Sequence, residues 1–381
     1  MNQENNKPVE TLLVVNAGSS SIKYGLYRAD DLTLIERKNI EVKKAGGYDA
    51  AFQQILDCIA DKNVTAVGHR VVHGGKDYAA PQKIDAKVLA DLEKLEPLAP
   101  LHQPHNVKGI RLIAAKYPQL PQVASFDTAF HRTQARLNQI YALPRKLTDE
   151  GMIRYGFHGL SYEYIAGKLP EVADAATAKG RVIVAHLGNG SSMAALKDGK
   201  SVATTMGFTP LDGLMMGTRA GSTDPGILLY LLEQGETAQS LSDIFQKQSG
   251  LKGVSGMTED LRTLLASDKP EAKEAIDLFC LYAARQAASL TVDLGGVDAI
   301  VFTGGIGENS EVIREKILSQ LAHLGVKLDK TKNDADQAAV HAQDSAVKVY
   351  VINTDEELMM ARHVKATLYP KPPAPNKMPA P

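Results

Sequence analysis

Two short runs rich in glycine and serine are candidate phosphate-binding turns. Residues 16–21 read Asn-Ala-Gly-Ser-Ser-Ser, and residues 186–192 read His-Leu-Gly-Asn-Gly-Ser-Ser. Each run follows an apolar segment typical of a buried strand and precedes an alternating strand, which predicts a β-hairpin in both places. Small residues let backbone N–H groups and hydroxyls come close to an anion. Two such turns facing each other would hold a polyphosphate from both sides, so the pattern predicts a duplicated nucleotide clamp.

Two arginines lie in contexts that favour a role in binding or catalysis. Arg70 lies in an apolar strand beside His69, where an unpaired charge would be costly. It should therefore either form a structural ion pair with a carboxylate or line a cleft. Arg219 lies in a loop between Gly217 and Gly221, and a guanidinium there can hold phosphate oxygens with two parallel hydrogen bonds. For Arg219 the sequence favours phosphate binding.

Several carboxylates and histidines follow predicted strands. Asp127 lies at a strand end, and Glu356 and Glu357 come just after the apolar strand at 347–352, so all three offer hard oxygen ligands to Mg²⁺. Glu356 could equally compensate the charge at a helix N-terminus without any metal. His158 and His186 each follow a strand or an aromatic run, a context in which histidine is more often a hydrogen-bonded core residue.

A third glycine group occupies residues 304–309, Gly-Gly-Ile-Gly-Glu-Asn. It follows the apolar strand Ala-Ile-Val-Phe-Thr and precedes a predicted helix, which is the setting of a phosphate or ribose site at a helix N-terminus. The group lacks both the Lys-Ser/Thr pair of a P-loop and the G-x-G-x-x-G spacing of a dinucleotide-binding fold. A P-loop NTPase and a Rossmann dehydrogenase are therefore disfavoured.

Composition restricts the class of protein. The chain has 381 residues, enough for two domains, and a formal net charge of -1 without a block of like charges. Nucleic acid and a membrane surface are therefore not expected as partners. The N-terminus resembles no signal peptide and no apolar run is long enough to span a bilayer, which favours the cytoplasm. Neither cysteine lies in a zinc-binding spacing, so a transition-metal site is not expected.

The order of predicted elements indicates an α/β protein in which strand hairpins followed by α/β crossovers occur twice. Strands are expected at 11–17, 22–27, 32–40, 64–72, up to 126, in a hairpin region at 181–205, at 298–303 and at 347–352. Helices are expected at about 48–60, 86–95, 105–116, 226–248 and 271–293, and from about 309. Ligands commonly bind in a cleft between two such domains.

Taken in order, these stretches closely resemble the acetate kinase family, of the acetate and sugar kinase, Hsp70 and actin superfamily. The resemblance runs from Val14 to about Leu358. Besides the three glycine-rich groups, it rests on GHRVVHGG (68–75), PLHQPHN (100–106), FDTAFH (126–131), RYGFHG (154–159), MGTRAGSTDP (216–225), EDLR (259–262) and NTDEE (353–357).

The resemblance implies duplicated ribonuclease H-like, or actin-like ATPase, domains with a nucleotide cleft between them. The first domain would cover 1–129 and be completed by a C-terminal helix at 359–368. The second would cover 130–358 and carry the adenosine site, and a disordered proline-rich tail would occupy 369–381. Family members are homodimers, and the helix around 274–290, with Leu278, Tyr282 and Ala283, could supply either the interface or the core.

The resemblance also implies reversible, direct in-line transfer of the ATP γ-phosphoryl group to acetate, giving acetyl phosphate and ADP, with Mg²⁺ or Mn²⁺ as the metal. Arg70 and Arg219 would hold the carboxylate and the phosphoryl group, and His158 would bond the equatorial oxygens of that group. Asp127 would be a catalytic residue that binds or orients the metal, and Asn16 and Glu356 would hold the metal. The acyl methyl group would contact Val72, Leu101, Phe157 and Pro210. The nucleotide would contact Asn16, Ser19, Ser21, Lys23, His186, Leu187, Gly188, Asn189, Gly190, Asp260, Leu261, Arg262, Gly305, Ile306, Gly307, Glu308, Asn309 and Ile313.

One departure from the family pattern lies beside His158. The family commonly has Gly-Thr-Ser-His after this histidine, whereas this chain has Gly159-Leu160-Ser161-Tyr162, so a hydroxyl and an imidazole are missing. Two other functions stay open: a propionate or butyrate kinase, and a non-catalytic ATPase like actin or Hsp70. Val72 narrows the acyl pocket and so favours acetate over propionate.

Overall fold

In the computed structural model, which describes residues 9–18, 20–100 and 102–370, the chain builds two separate α/β units. One unit holds the chain up to Ala129 together with the chain from Glu356 onward, and the other is Phe130–Asp355. The last helix begins at Glu356 and packs on the sheet of the first unit, where Val364 joins a buried cluster with Leu12 and Val123. The tail beyond Pro370 lies outside the described residues.

The strands are β1 (Thr11–Ala17), β2 (Ser21–Arg28), β3 (Leu34–Glu41), β4 (Val64–Val71), β5 (Gln82–Lys83), β6 (Gln122–Phe126), β7 (Arg181–His186), β8 (Ser192–Lys197), β9 (Lys200–Thr204), β10 (Ala299–Thr303) and β11 (Lys348–Val351). In the first unit they pair in the order β3-β2-β1-β4-β6-β5, and in the second in the order β9-β8-β7-β10-β11.

Five strands of each sheet share one topology. In the first unit, β1 pairs antiparallel with β2, which pairs antiparallel with β3, and β1, β4 and β6 run parallel. In the second, β7 takes the place of β1: it pairs antiparallel with β8, and β7, β10 and β11 run parallel. The predicted α/β class with a duplicated unit is confirmed, and the two glycine-serine turns join the equivalent hairpins β1-β2 and β7-β8.

The helices are α1 (Val42–Ala45), α2 (Tyr48–Ile59), α3 (Ala86–Lys94), α4 (Gln103–Lys116), α5 (Arg136–Gln139), α6 (Arg145–Asp149), α7 (Gly159–Val172), α8 (Ala175–Lys179), α9 (Pro225–Glu233), α10 (Ala238–Asp243), α11 (Gly250–Ser255), α12 (Leu261–Leu265), α13 (Pro270–Leu294), α14 (Gly304–Asn309), α15 (Glu311–Gln320), α16 (Lys330–Asp334) and α17 (Glu356–Leu368). A π-helical turn, Ile244–Gln248, follows α10.

Both sheets are covered on two faces, which explains the continuous apolar runs of their central strands. In the first unit, Leu13 and Val15 of β1 pack in one cluster with Phe52 of α2, and Leu12 faces α17. In the second unit, α13 packs in the large cluster on one face of the sheet, and α7 packs on the other. Ala283 of α13 is fully buried, so this helix belongs to the core.

Two local predictions were wrong, and one helix was missed. The single helix expected at 226–248 is broken after α9, because Gly235 takes a left-handed conformation (φ 96°) and Thr237 starts α10 with a capping box. The glycine group at 304–309 is itself the short helix α14, where a loop leading to a helix from about 309 was expected. Helix α7 was not predicted, although Tyr162, Ile165 and Leu169 have helical spacing and are buried.

Candidate functional site

Arg70 is the centre of a polar cluster in the first unit. Strands β1, β4 and β6 run parallel side by side, so Asn16, Arg70 and Asp127 reach the same edge of the sheet. The Arg70 Nε and Nη2 atoms donate to the Asp127 carboxylate at 3.0 and 2.6 Å, and Nη1 donates to Asn16 Oδ1 at 3.2 Å. Glu356, the first residue of α17, brings its carboxylate to 4.0 Å from Nη1. The ion pair that the sequence left as one alternative for Arg70 is present.

The charges of this cluster keep Arg70 protonated. Burial would lower the pKa of Arg70, but the negative charges of Asp127 and Glu356 and the hydrogen bond to Asp127 raise it above its ordinary value. The Asp127 side chain is only 2% exposed, whereas that of Arg70 keeps 21%. Burial, followed by the charge of Glu356, raises the pKa of the neighbouring Glu357. The cluster therefore presents a fixed cation whose carboxylate partner is withdrawn from water.

Two buried amides hold the strand ends around Arg70, and the sequence analysis did not single them out. Asn106 donates to Ala17 O at 2.9 Å and accepts from Val72 N at 3.1 Å. Gln103 accepts from His73 N and donates to His73 O, each at 3.1 Å. Both amides lie in the predicted stretch 100–106, which carries polar residues at the start of α4. They join α4 to the ends of β1 and β4.

The other predicted residues of the first unit lie near these strand ends. In the β1-β2 turn, Gly18 N donates to Ser21 O, and the exposed Lys23 is opposite Asn16 across the hairpin. Val72 is buried directly after β4. Ser19 and Leu101 lie outside the described residues.

His158 and Arg219 meet at the second glycine-serine turn. Gly190 has no side chain, and a Cβ atom placed on it would lie 3.4 Å from His158 Nε2 and 3.7 Å from Arg219 Nη1. Arg219 Nη1 also donates to Pro210 O at 3.1 Å, and this hydrogen bond helps to fix the position of the guanidinium. Imidazole and guanidinium therefore both lie within van der Waals reach of the same backbone turn.

His158 is held by contacts on several sides. It has a left-handed backbone (φ 57°, ψ 24°) at the start of α7, an uncommon conformation for a residue with a side chain. Its Nδ1 atom lies 2.9 Å from Ser192 Oγ, which also lies 2.5 Å from Tyr162 Oη. Its ring stacks on that of His186 with centroids 4.3 Å apart, and His186 Nδ1 lies 2.8 Å from Ser161 Oγ. Both histidines are half-buried, so neither is the fully enclosed core residue that their context favoured.

A cavity of about 920 Å³ lies within the second unit. Eight of the predicted nucleotide residues line it, together with six residues that were not predicted. The predicted ones are Gly188, Asn189, Asp260, Leu261, Arg262, Gly305, Ile306 and Asn309, and the others are Gly217, Glu259, Leu265, Ala266, Ser310 and Glu311. Gly217 N donates to Asn189 O at 3.0 Å, so the loop that carries Arg219 is tied to the phosphate turn.

Six predicted nucleotide residues of this unit do not line the cavity. His186 and Gly190 belong to the histidine cluster described above. Leu187 is buried and its carbonyl accepts from Ile306 N at 2.8 Å, which joins the phosphate turn to α14. Ile313 lies on the buried face of α15 and is part of the core, and Gly307 of α14 is also buried. The Glu308 Oε1 atom accepts from Thr303 Oγ1, Gly304 N and Thr354 N at 3.1, 2.8 and 3.0 Å, so this carboxylate braces the start of α14.

Arg314 supports the other end of α14 and was missed by the sequence analysis. It is fully buried, and its Nη1 atom donates to Gly307 O and Glu308 O at 3.0 and 2.9 Å. Its other donors meet Asn333 Oδ1 at 2.8 Å, Asn333 O at 3.1 Å and Asp336 Oδ1 at 2.6 Å. A charged residue at a core position of a helix was the available signal, because such a residue needs buried partners.

Within the described residues, no group of three or more acidic, histidine or cysteine side chains is arranged to hold a metal by itself. The oxygen-rich cluster of the first unit nevertheless suits a hard cation, since Asn16, Asp127 and Glu356 supply an amide oxygen and carboxylates. Mg²⁺ usually takes one or two protein carboxylates and completes its shell with water and substrate phosphates. In the same described part of the chain, no helix is both long and apolar enough to cross a membrane.

Comparison with known proteins shows the family of this chain. The model of the acetokinase family matches residues 30–362. The acetate kinase of Rhodopseudomonas palustris is 49% identical over 388 aligned residues, covering 93% of this chain and 98% of that protein. That of Rhizobium meliloti is 46% identical, with 94% and 99% covered.

Two solved structures are similar over nearly their whole length. A propionate kinase from Francisella tularensis has a TM-score of 0.86 at 37% identity, with 93% of this chain and 98% of that chain covered. The acetate kinase of Porphyromonas gingivalis has a TM-score of 0.85 at 35% identity, with 94% and 100% covered. These relatives have the two-domain actin-like ATPase fold, as does this chain. The chain therefore belongs to the acetokinase family.

Proposed function

We propose that this protein is a carboxyl-group phosphotransferase that reversibly moves the γ-phosphoryl group of ATP to acetate, giving acetyl phosphate and ADP. The observation that carries the proposal is the convergence of His158 Nε2 and Arg219 Nη1 on Gly190. This turn continues from Gly188 and Asn189, which line the 920 Å³ cavity. Family membership and the acetate kinase names of the relatives support the same activity.

The chemistry needs positioning and positive charge more than it needs a base. An acetate oxygen forms a bond to the γ-phosphorus while the bond from that phosphorus to the bridging oxygen breaks, and the electron pair of the broken bond stays on ADP. Acetate is already ionised near neutral pH, so no proton has to be removed. In the loose transition state, negative charge spreads over the equatorial oxygens, where Arg219 and an Nε2–H donor on His158 would stabilise it. Arg70 would hold the acetate carboxylate.

We assign the cavity of the second unit to the adenosine. Its lining includes Gly305, Ile306 and Asp260, whose side chain caps α12 and is paired with Arg262 at 2.8 Å. Asn16, Ser21 and Lys23 would meet the phosphates from the first hairpin. Ile313 and Glu308 would act indirectly, because one lies in the core and the other braces α14.

Asn16 and Glu356 would hold Mg²⁺, or Mn²⁺ in its place, and Asp127 would orient this group by fixing Arg70. When bound, the cation would neutralise phosphate charge. Three hard oxygen donors around the half-buried Arg70 fit such a group. Equilibrium dialysis of Mn²⁺ in the presence of the ATP analogue AMP-PNP tests this assignment. Glu356→Gln should weaken the binding of Mn²⁺, whereas the binding of AMP-PNP measured without metal should not change.

Acetate is the proposed substrate because Val72 and Phe157 are bulky and buried. Pro210, whose carbonyl accepts from Arg219, would complete the acyl pocket. The similarity to a propionate kinase makes propionate the main alternative. Since one methylene is worth about 1–3 kcal/mol in such a pocket, propionate should react more slowly than acetate without being excluded. Val72→Ala should raise the kcat/KM for propionate relative to acetate by about tenfold.

We propose that the protein is a homodimer and that it works in the cytoplasm. Helix α9 supports the dimer, because it has no buried residue and exposes Leu229 at 61%, Tyr230 at 60% and Ile227 at 46%. A run of apolar side chains with this exposure commonly marks a contact surface. Sedimentation equilibrium of the wild type and of a Leu229→Lys/Tyr230→Lys variant tests this: the wild type should be dimeric and the variant monomeric.

The substrate test is acyl hydroxamate formation from ATP and Mg²⁺ with acetate, propionate and butyrate in parallel. Arg219→Ala should lose the signal, whereas Arg285→Ala, which removes an exposed arginine of α13, should keep it. A signal dominated by acetate supports the proposal. ATP hydrolysis without hydroxamate from any of the three acids would contradict it and favour an actin- or Hsp70-like ATPase that transfers no phosphoryl group to an acid.

A further inference from the structure

We propose that Tyr162 is a positioning residue for His158, and that it acts through Ser192 to keep the imidazole proton on Nε2. The inference rests on the proposed function, because it concerns how His158 meets the phosphoryl group. Tyr162 is one of the residues at which this chain departs from the family pattern, which commonly has histidine there.

The three side chains form a continuous hydrogen-bonded line. Tyr162 Oη lies 2.5 Å from Ser192 Oγ, and Ser192 Oγ lies 2.9 Å from His158 Nδ1. Tyr162 and Ser192 are both fully buried. Tyr162 lies one helical turn after His158 in α7, and its backbone N–H donates to His158 O at 3.1 Å, so the two side chains start from a fixed spacing.

Packing leaves the Tyr162 ring little freedom. His131 contacts it edge-on with centroids 5.4 Å apart, and Phe130 stacks on it at 6.5 Å. His131 is itself fixed by Phe157 O and Ser201 Oγ, each at 2.9 Å. The phenol hydroxyl is therefore held at Ser192 by the surrounding side chains.

The direction of the hydrogen bonds follows from the proton each group carries. Burial raises the pKa of Tyr162, so its hydroxyl stays protonated, and a phenol is a better donor than an aliphatic hydroxyl. With Tyr162 donating to Ser192 Oγ, the single serine proton is free to point at His158 Nδ1. A neutral imidazole that accepts at Nδ1 carries its own proton on Nε2.

This tautomer matters because Nε2 is the atom that faces the phosphate turn at Gly190. An Nε2–H group donates to a phosphoryl oxygen without requiring the imidazole to be charged. The other tautomer would present a lone pair there and repel the same oxygen. Tyr162 thus selects the donor form of His158 without touching the substrate.

Tyr162→Phe tests the proposal, since it removes one hydroxyl and keeps the ring. We expect kcat to fall about three- to tenfold, the effect of losing one hydrogen bond, while the KM values for ATP and acetate stay within twofold. Tyr48→Phe is the matched control: it removes a tyrosine hydroxyl bonded to His105 O at 2.6 Å in the first unit, and should leave kcat unchanged.

Ser192→Ala separates the relay from simple packing. If Tyr162 acts only through Ser192, then Tyr162→Phe should have no further effect on kcat in the Ser192→Ala background. If the two effects multiply, the relay is refuted. Thermal midpoints of all four proteins show that each variant is folded.

The tautomer can be read without any turnover. In protein labelled with ¹⁵N-histidine, the His158 nitrogens should show the Nε2–H pattern in the wild type and a loss of that preference in Tyr162→Phe. An unchanged pattern with unchanged kcat would overturn the inference. If the wild type formed no acyl phosphate, the proposed function would fail, while the tautomer measurement would still decide the hydrogen-bond relay.

Discussion

Replacing Arg314 by methionine should destabilise the second unit and weaken nucleotide binding together. The guanidinium makes five hydrogen bonds from a fully buried position, and these tie the end of α14 to Asn333 and Asp336. Methionine fills a similar volume but donates none of them. The loss therefore falls on polar atoms, with little change in apolar packing.

The magnitude follows from the acceptors that are left behind. A buried oxygen deprived of its donor costs about 1–3 kcal/mol. Gly307 O and Asn333 Oδ1 lie in buried surroundings and Asp336 is exposed to water, so we expect a loss of about 4 kcal/mol in the free energy of unfolding. For a unit the size of Phe130–Asp355 this lowers the thermal midpoint by about 8–16 °C.

Circular dichroism melting of the full chain measures this change, and the KM for ATP reports on α14, whose Gly305 and Ile306 line the cavity. We expect the KM to rise in Arg314→Met and partly recover in Arg314→Lys, which restores the charge. Arg285→Met makes the same chemical change on the exposed face of α13 and should alter stability by less than about 0.5 kcal/mol. A change of 1 kcal/mol in the free energy of unfolding shifts the thermal midpoint of such a unit by about 2–4 °C. A thermal midpoint of Arg314→Met within about 2 °C of the wild type would therefore refute the reasoning.

Three further perturbations test other parts of the structure. Asp127→Asn removes the carboxylate that fixes Arg70, so kcat/KM for acetate should fall about a hundredfold, and a fall of less than threefold in steady-state kinetics would contradict this role. Burial lowers the pKa of His69 and of His131 from 6.5 to about 4, so the unfolded chain binds more protons between these values. Stability in urea unfolding should therefore be full above about pH 6.5 and fall as the pH drops toward 4, and a flat profile would disagree with neutral buried imidazoles. Glu308→Gln replaces three charge-assisted hydrogen bonds by neutral ones, so the KM for ATP should rise about fivefold with kcat nearly constant; an unchanged KM would separate α14 from nucleotide binding.

The regular part of the fold could be predicted from local pattern. The apolar runs at β1, β4, β7 and β10 are buried on both faces, and such runs predict central strands of a sheet. The Gly-Ser turns after β1 and β7 are also a local signal, and they indicated the two hairpins. The break after α9 was missed because Gly235 interrupts a sequence whose apolar spacing continues on both sides.

The supports of the site could not be predicted because they join distant parts of the chain. Asn106 bonds to Ala17 across 89 positions, and Glu308 bonds to Thr354 across 46. Nothing local to an asparagine or a glutamate specifies such a partner. Tyr162 shows this most clearly. Comparison with the family pattern suggested that His158 loses a supporting side chain at this position, whereas the Tyr162 hydroxyl contacts Ser192, thirty positions away in the sequence.

Synthesis of ATP from acetyl phosphate and ADP tests the central claim most directly, because it demands both the carboxyl-phosphate substrate and the nucleotide site in one reaction. Luciferase detection would follow ATP formation by the wild type, Arg219→Ala and Arg285→Ala. The account predicts rapid ATP formation by the wild type and Arg285→Ala, with a loss of at least about a hundredfold in Arg219→Ala. Equal ATP formation by Arg219→Ala and wild type, or none by wild type, would contradict it.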